Sequence, residues 1–323
     1  MRMNFVVAVL VVSLNAGATA AECPAASANT EQLQFTMARG RFVSYQPTML
    51  KVVGGRLTEV SEASIRTDLE TLRPYFDGLI TYGALNGAER IPDVAAALNF
   101  RTVIVGVWNP DDSKEIANAI AAWQRNPKIV GGLSLGNEII LGKRGSWATL
   151  RKTLIDVRAR APRLALTVTE AFAQFLDEPE AKALLSQMDF MLVNVHPAFE
   201  AWFRTAQPFN WADFVVRIAG RLATETFCGP ILIKETGVPT GPASLGYTEE
   251  KQQMFYRELQ SQMKPSRSRA FSYFGAFDAP WLVDAPNPIP GSHPEEAFWG
   301  LFTEGRAPKA VMRELERLPD APR

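Results

Sequence analysis

Apolar residues gather along this chain in short dense runs, separated by longer amphipathic stretches. Residues 102–108 (TVIVGVW), 190–195 (FMLVNV) and 231–234 (ILIK) are continuous rather than alternating. That is the pattern of strands buried on both faces, as in a parallel sheet. The runs predict eight strands: Arg41–Tyr45, Gly78–Tyr82, Thr102–Trp108, Ile129–Leu135, Leu164–Thr169, Phe190–Val195, Pro230–Lys234 and Ala270–Phe274. The stretches between them read as helices. Ser61–Leu72 opens on capping-type residues and stops before Pro74. Ser113–Trp123 places Ile116, Ala119, Ile120 and Trp123 at helical spacing, and Ser146–Ala161 lines up Leu150, Leu154 and Val157 before Pro162. Asn210–Thr224 and Thr248–Met263 follow. Thr248 with Glu249 and Glu250 sets a capping hydroxyl and two carboxylates where a helix dipole favours them. Each strand–helix step averages about 30 residues, the size of a βαβ unit. Eight in series predict one α/β domain over residues 38–318, a single (β/α)8 TIM barrel. An open doubly wound sheet usually carries a glycine-rich turn after its first strand. Here Tyr45 leads into Gln46 and Pro47 instead.

The ends of the chain read differently. Arg2, the apolar run 5–12 and the small residues Ala18 to Ala21 have the layout of a secretory signal peptide over residues 1–21. A short segment, 22–37, precedes the barrel, and 319–323 form a tail. A periplasmic or secreted location is expected. Once the leader is cleaved no apolar run long enough to span a bilayer is left, so stable membrane insertion is not expected. Cys23 and Cys228 are the only cysteines, and spacing alone leaves their pairing open. Lys and Arg (34) balance Asp and Glu (34), which argues against a basic nucleic-acid protein. With only two histidines, His196 and His293, a three-histidine zinc site is excluded. No metal or cofactor is expected, and a monomer is.

In a barrel of this kind chemistry sits where strands end. Two such ends carry glutamates. The fourth strand runs into Gly136, Asn137 and Glu138, and the seventh into Lys234, Glu235, Thr236 and Gly237. About three βα units separate them, which sets the two carboxyls facing across the barrel mouth. A carboxyl pair is what glycoside hydrolysis needs: one acid for the departing oxygen, one base or nucleophile for the anomeric centre. Asn137 adds an amide suited to a sugar 2-hydroxyl. Each glutamate alone could equally be a loop cap or a salt-bridge partner.

The turns 136–138 (GNE) and 235–240 (ETGVPT) resemble those of glycoside hydrolase family 17, the β-1,3-glucanases of the retaining (β/α)8 clan. Val238 and Thr240 depart from the family's usual Trp and Ser. Residues 276–281 (AFDAPW) are similar to the end of its eighth strand, and 296–302 (EAFWGLF) to its closing segment. The likeness covers roughly residues 38–315 and is nearer to compact bacterial members than to plant ones. It implies Glu138 as general acid/base and Glu235 as nucleophile, in a double displacement with retention. It also implies that His196, standing where the family usually has an aromatic residue, contacts the nucleophile, and that Glu296 lies near the active site. Tyr45, Tyr82, Asn194 and Trp281, at or beside strand ends, are candidate sugar contacts, since pyranose rings stack on aromatic faces. For Trp108 packing and stacking are equally open, and Trp202 and Trp211 are candidates for outer subsites. A β-glucan or oligosaccharide is the expected partner. Hydrolysis and transglycosylation share the first step and are not separated by residue type. The competing readings are a non-catalytic β-glucan-binding barrel and a scaffold without sugar affinity.

Overall fold

The computed structural model describes residues 28–285, 287 and 289–319. The expected leader, Cys23 and residues 320–323 lie outside them. Eight strands close into one barrel. They are β1 (Phe42–Ser44), β2 (Gly78–Ile80), β3 (Thr102–Val107), β4 (Val130–Asn137), β5 (Leu166–Ala171), β6 (Met191–Asn194), β7 (Ile231–Glu235) and β8 (Arg269–Tyr273). Every neighbouring pair is parallel, and β1 closes the ring by pairing with both β2 and β8.

Among the described residues, nine α-helices are packed around or beneath the barrel: α1 (Glu31–Arg39), α2 (Glu62–Leu72), α3 (Ile91–Ala97), α4 (Ser113–Arg125), α5 (Trp147–Arg160), α6 (Phe172–Asp177), α7 (Ala181–Leu185), α8 (Pro208–Arg221) and α9 (Glu249–Gln262). Side-chain caps fix several starts. Asp112 accepts from the backbone N–H of Lys114 and Glu115 at 2.8 and 3.0 Å. Ser61, Ser146 and Thr248 each accept from the third residue on, at 3.2 Å. These bonds satisfy amides that a helix start leaves open.

Side chains alternate along each strand. One column points outward into the helices: Leu79, Val103, Val105, Met191, Val193, Ile231 and Ile233 belong to the large core between sheet and helices. The other points inward: Phe42, Ile80, Ile104, Ala165, Phe190, Leu192, Leu232 and Ala270 form a second, separate cluster inside the ring. Helix α1 joins it through Leu33 and Met37, so α1 plugs the barrel floor. Thr36 of α1 adds a 2.6 Å hydroxyl contact with Thr102. Nothing in the sequence reading assigned residues 31–39 that task.

Two residues further along, the inward column turns polar. Phe42 gives way to Ser44, Leu192 to Asn194, Leu232 to Lys234 and Ala270 to Ser272. Thus an apolar floor carries a polar mouth, at the strands' C-terminal ends. After β8 the alternation of strand and α-helix stops. Three short 3-10 turns, Pro280–Asp284, Pro294–Phe298 and Ala310–Glu314, cover that sector. A small antiparallel hairpin pairs Val52–Val53 with Arg56–Leu57 in the loop after β1.

Candidate active site

All eight residues of β4 are buried, and the strand ends on Asn137. Glu138 follows with φ +52°, after Gly136 at +87°. A left-handed conformation costs a non-glycine residue about 1–2 kcal/mol, and the surroundings hold it in place. The Glu138 amide donates to Thr169 O at 2.9 Å, and its carbonyl accepts from Gly142 N at 2.9 Å. Arg144 donates to the Asn137 carbonyl. Glu170 on β5 is fully buried beneath the turn and accepts from Ile140 N at 2.9 Å and Leu141 N at 3.4 Å. Burial pushes the Glu170 carboxyl up to about 7, against those backbone amides.

Across the mouth, β7 ends on Lys234 and Glu235, both buried. Glu235 Oε2 lies 3.3 Å from His196 Nε2, and Oε1 lies 3.4 Å from the Lys234 ammonium without hydrogen-bond alignment. The Lys234 ammonium sits 4.1 Å above the Tyr82 ring and donates to Asn137 Oδ1 at 2.6 Å. Asn194 completes the link by donating to Glu138 Oε1 at 2.9 Å and to Asn137 Oδ1 at 3.4 Å.

The two carboxyls therefore meet different surroundings. For Glu138, burial is the main effect and the nearby Glu235 charge adds to it, so its proton is held above the usual carboxylate range despite Asn194. Burial also works against the Glu235 anion, yet Lys234, His196 and Tyr82 together outweigh it and hold Glu235 below that range. Burial lowers the Lys234 ammonium, while Glu235 and Glu138 favour its charged form. A site with one protonated and one ionised carboxyl can donate a proton on one side and offer an anion on the other.

Six of the residues singled out by sequence thus meet here: Glu138, Glu235, Asn137, Asn194, His196 and Tyr82. His196 is wedged between Phe274 and Trp299, at 5.1 Å from each ring. Glu296 stands nearby. It accepts from Asn287 at 3.2 Å, and burial raises it, opposed by His196 and reinforced by Glu235. Trp281 lies half-buried on the 3-10 turn after β8.

Several expectations are corrected. Tyr45 is fully buried and donates to Asp68 at 2.8 Å; Asp68 also takes Thr48 and pairs with Arg306 at 2.7 Å. Tyr45 is a strut under the loop after β1, with no face open to a sugar. Asn194 directs its amide N–H groups to Glu138 and Asn137 and so orders the site, while its Oδ1 meets no donor among the described residues. Trp211 is buried, stacked on Phe203 at 4.4 Å, and Trp202 packs on Phe214 at 5.3 Å. Trp211 is a packing residue; Trp202, half-buried, keeps part of its surface exposed.

Trp108, for which packing was equally open, is 47% exposed. Glu115 fixes its backbone, accepting from Trp108 N and Asn109 N at 2.9 Å each and from Ala84 N at 3.0 Å. The Arg144 guanidinium lies 4.8 Å from the ring centre. A cavity of about 240 Å³ adjoins this pair, lined also by Asn109, Asp111 and Thr149. Sequence reasoning assigned no role to Lys234, Glu170, Trp299, Phe274 or Arg144. The polar residue inside the apolar run 230–235 was the available signal for Lys234.

Residues 44–300 match the BtgE/BtgC glycoside hydrolase domain. A glucan 1,3-beta-glucosidase of Arthroderma benhamiae is 26% identical over 263 residues, 77% of this chain and 83% of that protein. A second, from Saccharomyces cerevisiae, is 23% identical over 264 residues, 75% of this chain and 82% of that one. Among solved structures, the glycoside hydrolase family 17 beta-1,3-glucanosyltransferase of Rhizomucor miehei shares the fold. It has a TM-score of 0.63 at 19% identity, covering 84% of this chain and 95% of that one.

Proposed function

Because the chain belongs to the BtgE/BtgC glycoside hydrolase domain family, we propose that it cleaves β-1,3-glucan by double displacement, with Glu235 as nucleophile and Glu138 as acid/base. The observation that carries this reading is the unlike company of the two carboxyls at one mouth: Glu235 lies 3.3 Å from His196 and 3.4 Å from Lys234, while Glu138 accepts from Asn194 at 2.9 Å. Glu235 is held ionised, and no hydrogen bond engages its Oε1. That oxygen attacks the anomeric carbon, while protonated Glu138 gives its proton to the departing glycosidic oxygen. The leaving sugar departs, and a glycosyl ester remains on Glu235. Glu138, now a carboxylate, takes a proton from the incoming hydroxyl as that oxygen displaces Glu235. Two inversions give net retention. Asn137 donates to the 2-hydroxyl of the reacting sugar, a contact that strengthens in such transition states.

The names of the relatives support the substrate class, glucan with 1,3-β linkages, and divide over whether water or a sugar takes the glycosyl unit. Action in the periplasm or outside the cell belongs to the same proposal. Incubation with laminari-oligosaccharides, followed by proton NMR of the first product, tests it. The β-anomer should appear first and the α-anomer only by mutarotation. Tight binding without turnover would leave a glucan-binding barrel, and an initial α-anomer would overturn the double displacement.

A further inference from the structure

Lys234 is a full charge where a barrel strand would ordinarily continue its packing, and its position is unusual in three respects. It is 1% exposed. It reaches from β7 to β4, from the strand that carries Glu235 to the strand that ends beside Glu138. Its closest contact is not a carboxylate but the side-chain amide of Asn137, at 2.6 Å, against 3.4 Å to Glu235.

An asparagine amide has an accepting end and a donating end, and an ammonium group only donates. The atom of Asn137 that meets Lys234 is therefore its oxygen. Asn194 also donates to that oxygen, at 3.4 Å. The donating end, Nδ2, is thereby turned the other way, and no protein acceptor among the described residues takes it. Asn137 keeps 8% exposure. Its free N–H groups are thus left for a ligand.

We infer that Lys234 is a positioning residue that locks the Asn137 amide in the orientation that donates to the sugar 2-hydroxyl. This rests on the function proposed above. The Lys234 side chain touches no substrate itself; it acts through Asn137, and ties the strand bearing one carboxyl to the strand bearing the other. Without it, only the 3.4 Å contact from Asn194 directs the amide, and the contact next to the anomeric carbon is weakened.

The test compares an aryl β-laminaribioside with its counterpart lacking the 2-hydroxyl on the reacting sugar. In the wild-type enzyme, removal of that hydroxyl should lower kcat/KM about tenfold or more, the effect of one well-placed hydrogen bond. In Lys234→Met, which keeps the length and loses the donor, the ratio should shrink to within about threefold. Lys234→Gln, which keeps a donor without charge, should restore part of the ratio. A merely structural role would slow both substrates alike and leave the ratio intact, and that result overturns the inference. A second readout needs no turnover. The Asn137 side-chain amide signals, identified by their loss in Asn137→Ala, should move in Lys234→Met and return toward wild type in Lys234→Gln. Unchanged signals in Lys234→Met would refute the lock. If wild type cleaves neither glycoside, the proposed function falls, and the amide signals still decide the role of Lys234.

Discussion

Two glutamates of identical chemistry are driven apart by what surrounds them. Burial opposes ionisation of both. Lys234, His196 and Tyr82 act most strongly on Glu235 and hold it below the usual carboxylate range; on Glu138 the same Lys234 and His196, with Asn194, are outweighed by burial and the Glu235 charge, and it is held above that range. The sign of the pH dependence follows. If the proposed roles hold, activity should fall on the acid side as Glu235 takes up a proton, below the ordinary carboxylate range, and on the alkaline side as Glu138 gives one up, above that range. The two titrate as a coupled pair, so the limbs of the profile belong to the pair. Glu235→Gln should abolish turnover while oligosaccharide binding stays measurable by calorimetry. Glu138→Gln should impair natural glucans most and spare the first step with an activated aryl glycoside, and with that substrate the alkaline limb should vanish. Persistence of the alkaline limb would remove Glu138 from the acid role. Glu170 makes a separate prediction, about stability. Its folded value of about 7 lies above the ordinary 4.5. Its contribution is therefore fully present below about pH 4.5 and is lost as pH rises through about 7. Glu170→Gln keeps an acceptor for Ile140 N without the charge. Between pH 5 and 8 the variant should gain ~3 kcal/mol on wild type in denaturant unfolding; parallel curves would refute this. The carboxyl pair was legible in the sequence because both glutamates end apolar runs. Lys234 and Glu170 were not, because a strand buried on both faces shows no alternation that tells inward from outward.

At the level of elements, the same double burial that hid individual side chains made the strands easy to find. All eight predicted runs overlap barrel strands, and the differences are at the ends. The fourth and seventh runs extend to Asn137 and Glu235, since polar mouth residues still pair in the ladder. Helix α1 escaped notice because its sequence is mostly polar, with only Leu33 and Met37 to enter the floor. Met37 is fully buried. Met37→Ala should cost about 2–5 kcal/mol of stability by leaving a cavity in the floor, with kcat unchanged, as measured by unfolding and by turnover well below the new midpoint. A loss of turnover out of proportion to stability would mean that the floor shapes the mouth. The Trp108 loop is the converse case, an aromatic residue that the fold holds in the open. Fixed by Glu115 and flanked by Arg144, it is a rigid platform beside a cavity with mixed polar lining. Trp108→Ala should lower kcat/KM about fivefold for long laminari-oligosaccharides, in line with the ~1 kcal/mol of an aromatic contact, and spare the shortest cleavable one. An equal loss at every length would assign Trp108 to packing.

Seen as a whole, the molecule sets Glu138, half-buried, and Glu235, buried, at one barrel mouth. Glu235 keeps 6% exposure, with His196 at 3.3 Å and the Trp299 and Phe274 rings packed on that imidazole. That bears on what resolves the glycosyl-enzyme. Trp211, a candidate for an outer subsite, is a packing residue and gives transfer no support. The argument for transfer rests instead on orientation. A sugar hydroxyl arrives attached to a ring that the walls can hold, and well-oriented groups reach effective molarities of ~10⁵ M or more, against about 55 M for water. Product sugar leaving the mouth after the first step is already aligned for the reverse attack, so a second oligosaccharide in its place is aligned as well. Transfer should accordingly compete with hydrolysis once substrate is concentrated. A time course with one laminari-oligosaccharide at low and high concentration measures the balance. Products longer than the substrate should form early, rise in share with concentration, and fall again as substrate is exhausted. Only shorter products at every concentration would make the enzyme a hydrolase alone.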